Sequence, residues 1–119
     1  MAYDRIEKES WQVFFDRVSK AVQGRAVDLE VVGLDVGDQI ESDGLTLTGF
    51  TYDSADDALY LAVEGKGRMH LDHVIRSPQE IYVDYDTFGL SQVVVLEPSG
   101  GKQFVKLRHP LSLPAEASH

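Results

Sequence analysis

The stretch that decides the fold is SWQVFFDRVSKAVQ, residues 10–23, because it reads as one amphipathic helix ahead of the rest of the chain. Its large apolar side chains recur at the i, i+3, i+4, i+7 and i+11 spacing of a single helix face. They are Trp11, Phe14, Phe15, Val18 and Val22. Ser10 is expected to cap the start of this helix and Gly24 its end. A face so rich in aromatic rings predicts a core element.

After the helix, apolar and polar side chains alternate with a period of two, which is typical of half-buried strands. Turns rich in Gly, Asp and Pro separate the segments. The pattern predicts strands over 27–31, 45–52, 58–63, 69–73, 81–86, 92–97 and 103–108. Segment 92–97 is apolar on both faces, so it predicts a central strand that is covered on both sides. Pro110 is expected to end the last strand.

Consecutive strands with short links favour antiparallel pairing, and a small sheet of this kind curls. The sequence therefore predicts an α+β fold, in which an N-terminal amphipathic helix precedes a bent antiparallel sheet or a small SH3-like or Sm-like open barrel of five to seven strands. Residues 1–119 are expected to form one domain. Residues 1–8 and 112–119 are expected to be frayed ends.

The amino-acid composition limits the kinds of partner that the chain is expected to bind. The chain of 119 residues carries 20 acidic and 11 basic residues, for a formal net charge of −9. Such a field repels the phosphate backbone, so no nucleic-acid partner is expected. The absence of cysteine excludes disulfides and thiolate metal sites. The N-terminal residues lack the apolar core of a secretory signal, and no apolar run approaches the roughly 18 residues that span a bilayer. We therefore expect a cytoplasmic protein with no membrane partner.

Metal-ligand residue types come close together at one place, His70-Leu71-Asp72-His73. In an extended segment His70 and Asp72 would point to one side and His73 to the other, so one ion could not bind all three. The stretch is better explained by surface polar side chains beside a core-facing Leu71. His73 would then be an interior or interface histidine with one hydrogen-bond partner. No metal site and no cofactor are predicted.

The other candidate motifs indicate turns rather than chemistry. Asp53, Asp56 and Asp57 lack the ligand spacing, central glycine and terminal glutamate of an EF-hand. Residues 65–68, GKGR, neither have the spacing of a phosphate loop nor open a helix. No serine sits in a Gly-x-Ser-x-Gly elbow. No catalytic residue is predicted, and an active site assembled from distant residues stays an alternative.

Aromatic side chains give the remaining signal. Tyr82 shares a strand face with Asp84, opposite Ile81 and Val83, so its ring is expected on the outside of the sheet. Outward aromatic side chains are enriched at interface cores. The candidate binding patch consists of His70, Asp72, His73, Tyr82 and Phe88. We expect a non-enzymatic module that binds a protein partner or itself, as a homodimer. The alternatives are a small-molecule or metal-binding module around His70–Tyr85 and an unrecognised enzyme.

Four stretches carry a family resemblance: WQVFFDRVSK (11–20), VVGLDVGDQIE (31–41), LDHVIR (71–76) and PQEIYVD (78–84). In this order they resemble the small bacterial family called domain of unknown function 5335, over about Trp11 to Pro114. That family has no established activity, substrate or cofactor. The resemblance therefore implies a bacterial cytoplasmic domain and assigns a role to no residue.

Overall fold

The computed structural model describes residues 3–22, 27–33, 45–65 and 70–113, of which 27–33 are described by their backbone alone. The expectations for Gly24, the turn region between the first two predicted strands (34–44), the GKGR segment after Gly65 and the tail 114–119 lie outside these residues. The elements in chain order are β1 (Asp4–Ile6), a 3₁₀ turn (Lys8–Ser10), α1 (Trp11–Val22), β2 (Val27–Gly33), β3 (Leu45–Asp53), β4 (Ala58–Glu64), β5 (His70–Arg76), β6 (Glu80–Asp86), β7 (Gly89–Leu96) and β8 (Lys102–Leu111).

The strands form one sheet in the order β1-β6-β7-β8-β2-β3-β4-β5. Every neighbouring pair is antiparallel. Within the described residues β1 and β5 end this order and do not pair with each other, so the sheet is bent but not closed. The predicted α+β fold, a helix followed by a bent antiparallel sheet or open barrel, is confirmed.

The core lies on the inner side of the bend. Buried apolar side chains from α1 and from β3 to β8 form one continuous cluster. All five residues of the predicted helix face are buried, from Phe15 with no exposed surface to Phe14 at 6%. In the strands, every second side chain points to the core side of the sheet. Ile81, Val83, Val93 and Val95 accordingly face inward with at most 2% exposure.

The helix packs mainly against β3. The rings of Phe15 and Phe50 lie 4.5 Å apart, and the rings of Trp11 and Tyr52 meet edge to face at 5.2 Å. Trp11 also donates its indole N–H to the carbonyl of Ile6 at 2.9 Å, so the buried ring has its polar partner. These contacts dock α1 against the second half of β3.

The ends of the chain differ from the prediction. Asp4–Ile6, expected to be frayed, pairs with β6 as an additional strand, which raises the number of described strands to eight. The prediction that Pro110 ends the last strand was wrong, because β8 continues to Leu111, the partner of Leu90. Pro110 is tolerated since it lies within a shift of register, where the regular ladder is interrupted. Leu113 packs against the core, so the fraying expected from residue 112 onward does not hold there.

None of the helices in the described part of the chain has the length and apolar character needed to cross a bilayer.

Candidate functional site

An apolar and aromatic patch lies on the outer side of β6, β7 and β8, opposite the core. Side chains that oppose each other across antiparallel strands share one face of the sheet. The register places Tyr82 beside Val94 and Val94 beside Phe104, and Leu96 beside Lys102 in the next row. We call this surface the outer aromatic face; its residues are Tyr3, Tyr82, Val94, Leu96, Lys102 and Phe104.

These side chains enclose a shallow groove of about 360 Å³. Val94 lies at its floor between its register partners and is only 6% exposed. Tyr82, Leu96 and Phe104 are half-buried, and Tyr3 at the rim is 47% exposed. Every lining residue comes from β6, β7, β8 or the residue before β1. The groove is therefore built on strands, which hold its side chains in fixed positions.

Two hydrogen bonds orient the tyrosine rings of the face. The Tyr82 hydroxyl donates to Oε1 of Glu80 at 2.6 Å, and the Tyr3 hydroxyl donates to Oε1 of Gln92 at 3.3 Å. The bond to Glu80, followed by burial, raises the pKa of Tyr82 above its ordinary value, so the phenol stays neutral. Rings, aliphatic groups and one ammonium group suit noncovalent recognition of another surface.

The structure distributes the five residues of the predicted patch over two parts of the sheet. Of these, His70, Asp72 and His73 lie on β5, the last strand of the sheet order, and Tyr82 lies on β6, the second strand. Phe88 lies in the β6–β7 turn and is 76% exposed. Four residues of strand separate it from Tyr82, roughly 13 Å at the usual rise. Of the predicted patch, Tyr82 alone lines the outer aromatic face.

The alternation predicted for residues 70–73 is confirmed by the register of β5. His70 pairs with Glu64, with Nε2 and Oε2 3.7 Å apart, whereas His73 opposes Leu61, a buried core residue of β4. Among the described residues, no group of three or more His, Asp or Glu side chains is placed to hold a metal ion. The expectation that Leu71 faces the core was wrong: it is on the inner side but 49% exposed, because it lies near the open end of the edge strand.

Among the described residues His73 has one hydrogen-bond partner, as the sequence suggested. Its Nε2 lies 2.6 Å from Oε1 of Gln103 on β8, and Nε2 of Gln103 donates to Oε2 of Glu97 at 3.0 Å. Because the amide oxygen can only accept, His73 must carry a proton on Nε2. Four strand positions separate β8 from β5 in the sheet order, so this polar bridge shows how far the sheet folds back on itself.

The acidic residues of the β3–β4 connection are engaged within the hairpin. Tyr52 donates to Oδ1 of Asp57 at 2.6 Å, Tyr60 donates to Oδ2 of Asp56 at 3.2 Å, and Oδ1 of Asp53 accepts from backbone N–H groups of the turn. Burial and the bond to Asp57 raise the pKa of Tyr52 to about 12. This arrangement is the charged hairpin tip that the sequence predicted.

The residues that sequence reasoning missed are Tyr3, Val94, Leu96, Lys102 and Phe104. One signal points to them: segment 92–97 is apolar on both sides, a pattern that predicts a strand covered on both sides. The inner side of β7 does face the core, as Val93 and Val95 show. Its outer side instead forms the floor of the groove, so the apolar pattern there belongs to the outer aromatic face.

Comparison with known proteins gives a family and no activity. Residues 2–116 match the model of a family of unknown function, DUF5335. The chain is also 34% identical over 114 residues to an uncharacterized protein of Aquifex aeolicus (strain VF5), an alignment that covers 96% of this chain and 99% of that protein. No solved structure matches the chain. The relative suggests a bacterial origin and carries no function over.

Proposed function

The chain belongs to the DUF5335 family of unknown function, and we propose that it is a non-enzymatic module that binds another protein chain through its outer aromatic face. We place this binding in the cytoplasm of a bacterial cell. This proposal replaces the dispersed patch predicted from the sequence with one contiguous surface that retains Tyr82.

The observation that carries the proposal is the apolar outer side of β7. A strand of an antiparallel sheet that faces water on one side ordinarily carries polar residues there. On β7 that side instead presents Val94 and Leu96, flanked by Tyr82 and Phe104. Contiguous apolar surface of this kind, rimmed by polar groups, is characteristic of interaction sites. Aromatic anchors in a groove are also where binding energy is usually concentrated.

Local charge supports a protein as the partner. The chain as a whole is strongly acidic, at −9, yet Lys102 lines the face and Lys106 follows two residues beyond Phe104 on the same side of β8. Both lysines are exposed. A partner surface that combines apolar anchors with acidic groups placed over β8 would therefore complement the β8 side of this face better than the rest of the chain.

The proposal is tested by placing a photo-reactive phenylalanine analogue at single positions and irradiating cells that naturally make the protein. At Phe104 or Tyr82 the probe should form adducts with a protein chain. Matched controls carry the probe at Val13 and Phe88, which are 58% and 76% exposed but lie outside the face. Circular dichroism of each purified variant would establish that the fold is retained.

Adducts confined to Phe104 and Tyr82 are the expected result. Equal labelling of the two control positions would indicate nonspecific encounter and contradict the proposal. Irradiation that leaves every folded variant without an adduct would contradict it as well. Crosslinks that form only within a single molecule would also contradict it.

A further inference from the structure

Three register rows cross the outer side of β6, β7 and β8, and each consists of one residue from each strand. The first row is Glu80, Leu96 and Lys102; the second is Tyr82, Val94 and Phe104; the third is Asp84, Gln92 and Lys106. In two rows an acidic residue on β6 is matched by a basic residue on β8, and in the middle row a ring is matched by a ring. The uncharged residues of β7 lie between them.

This pattern is self-complementary. A two-fold axis that runs along β7 in the plane of contact places the β6 of one copy over the β8 of the other. Glu80 then meets Lys102, Tyr82 meets Phe104, and Leu96 meets Leu96 of the second copy. We infer that the partner bound by the outer aromatic face is a second copy of this chain, in an isologous dimer; this rests on the proposed function.

The shape of the sheet is consistent with an axis at β7. The outer side of a bent sheet is convex, so two such sides touch first along the central strand of the contact. Twisted sheets that pack face to face keep their strands within about 30° of each other, which allows the rows of the two copies to register. The groove beside Val94 gives each face room for a protruding ring of the other, since its volume is about 360 Å³.

The distribution of charge favours this face as the contact between the two copies. Two copies at −9 each repel, and contacts between their acidic surfaces would add to that repulsion. The outer aromatic face brings opposite charges together at its rim while apolar side chains meet at its centre. Asp84 contributes less than Glu80 to this matching, because it is only 9% exposed. Moderate salt should strengthen association, since it screens the long-range repulsion between two copies of charge −9 more than it screens close charge pairs at the rim, and it leaves the apolar contact unchanged.

The first experiment is sedimentation equilibrium of the full chain from about 10 µM to about 1 mM, a range that detects the modest affinity of a small interface. Wild-type protein should dimerise. Glu80→Lys places lysine opposite Lys102 of the second copy, and Lys102→Glu places glutamate opposite Glu80. Each variant should weaken the dimer by about tenfold or more, because the like charges meet twice. Asp72→Lys on β5 makes the same charge change as Glu80→Lys and should not weaken the dimer.

The second experiment mixes the two charge variants, Glu80→Lys and Lys102→Glu, in equal amounts. In the mixed dimer the two introduced side chains, a lysine and a glutamate, meet at one contact. The native Lys102 of the first variant meets the native Glu80 of the second at the other contact, so both contacts are complementary again. A heterodimer with affinity close to the wild-type dimer is expected, detected by labelling one variant. A variant that merely folds poorly could not be rescued in this way.

A wild-type chain that stays monomeric up to about 1 mM at moderate salt would overturn the dimer, since the dissociation constant would then lie above about 1 mM. A dimer insensitive to both single variants would overturn the assigned face. If photo-crosslinking at Phe104 captures a different protein while the purified chain is monomeric, the interaction module stands and the second copy does not. If neither experiment yields a contact at this face, both proposals fail.

Discussion

The hydroxyl of Ser19 on α1 bonds both backbone groups of Phe50 on β3. Oγ donates to the carbonyl of Phe50 at 2.7 Å and accepts from its N–H at 2.9 Å. Among the described residues, β3 pairs with β2 from Leu45 to Leu47, and Phe50 pairs with Leu61 on the β4 side. One side chain of the helix thus gives Phe50 two backbone bonds of the kind that a neighbouring strand supplies elsewhere in the sheet.

Replacing Ser19 by alanine should therefore destabilise the protein. The partly buried N–H and C=O of Phe50 would lose their partner, which costs about 1–3 kcal/mol in the free energy of unfolding. Urea denaturation followed by circular dichroism measures the change. Ser54→Ala, in the exposed β3–β4 turn, is the matched control and should change little. A loss for Ser19→Ala no larger than that of the control would show that water satisfies Phe50 instead.

Truncating the helix face should be more costly. Phe14 is 6% exposed and meets the ring of Phe15 edge to face at 5.0 Å. Phe14→Ala removes buried area and leaves a cavity, which costs about 3–5 kcal/mol. The neighbouring Val13 is 58% exposed, so Val13→Ala serves as control. A loss below roughly 1 kcal/mol for Phe14→Ala in denaturant melts would mean that α1 is peripheral to the core.

The raised pKa of Tyr52 predicts that the folded protein loses stability at high pH. Burial, then its bond to Asp57, raises the pKa of this phenol in the folded protein from 10.0 to about 12, so folding favours the neutral form. Its contribution to stability is complete below pH 10 and is lost as the pH rises through about 12. Spectrophotometric titration should show a late tyrosinate step that is missing in Tyr52→Phe. A titration in which the wild type and Tyr52→Phe both lack this late step would refute the assignment.

We expect no tightly bound structural metal. His70 and His73 lie on opposite sides of β5, and His73 is already bonded to Gln103. Elemental analysis of protein purified without a polyhistidine tag should find no stoichiometric transition metal. His109 is exposed and provides the control. A near-stoichiometric metal that His70→Ala removes and His109→Ala retains would reverse this expectation.

Binding to DNA or RNA with useful affinity is not expected, although the fold brings lysines beside an aromatic ring. Lys102 and Lys106 flank Phe104 on β8, an arrangement that resembles platforms for single-stranded nucleic acid. Glu80 and Asp84 on the same side of β6, together with the net charge of −9, oppose approach of phosphates. Fluorescence anisotropy with a labelled oligonucleotide tests this at physiological salt. Sub-micromolar binding that Lys102→Glu abolishes and Asp72→Lys leaves intact would prove the expectation wrong.

The sequence by itself determined the elements. The spacing of Trp11, Phe14, Phe15, Val18 and Val22 defined the buried face of α1, and period-two alternation located β2 to β8 to within a few residues. It also placed Tyr82 on the outer side of its strand. These are local properties, since the helical and extended periods decide which neighbouring side chains share a face.

The tertiary structure alone decided which strands are neighbours. Periodicity carries no information about partners far apart in the chain, so the pairing of β1 with β6 and of β2 with β8 could not be read from it. The outer aromatic face depends on that pairing, because Phe104 joins Val94 and Tyr82 only through the register of three strands. The bond of Ser19 to Phe50 likewise joins residues 31 positions apart, and local periodicity does not tell which distant backbone groups a helix side chain reaches.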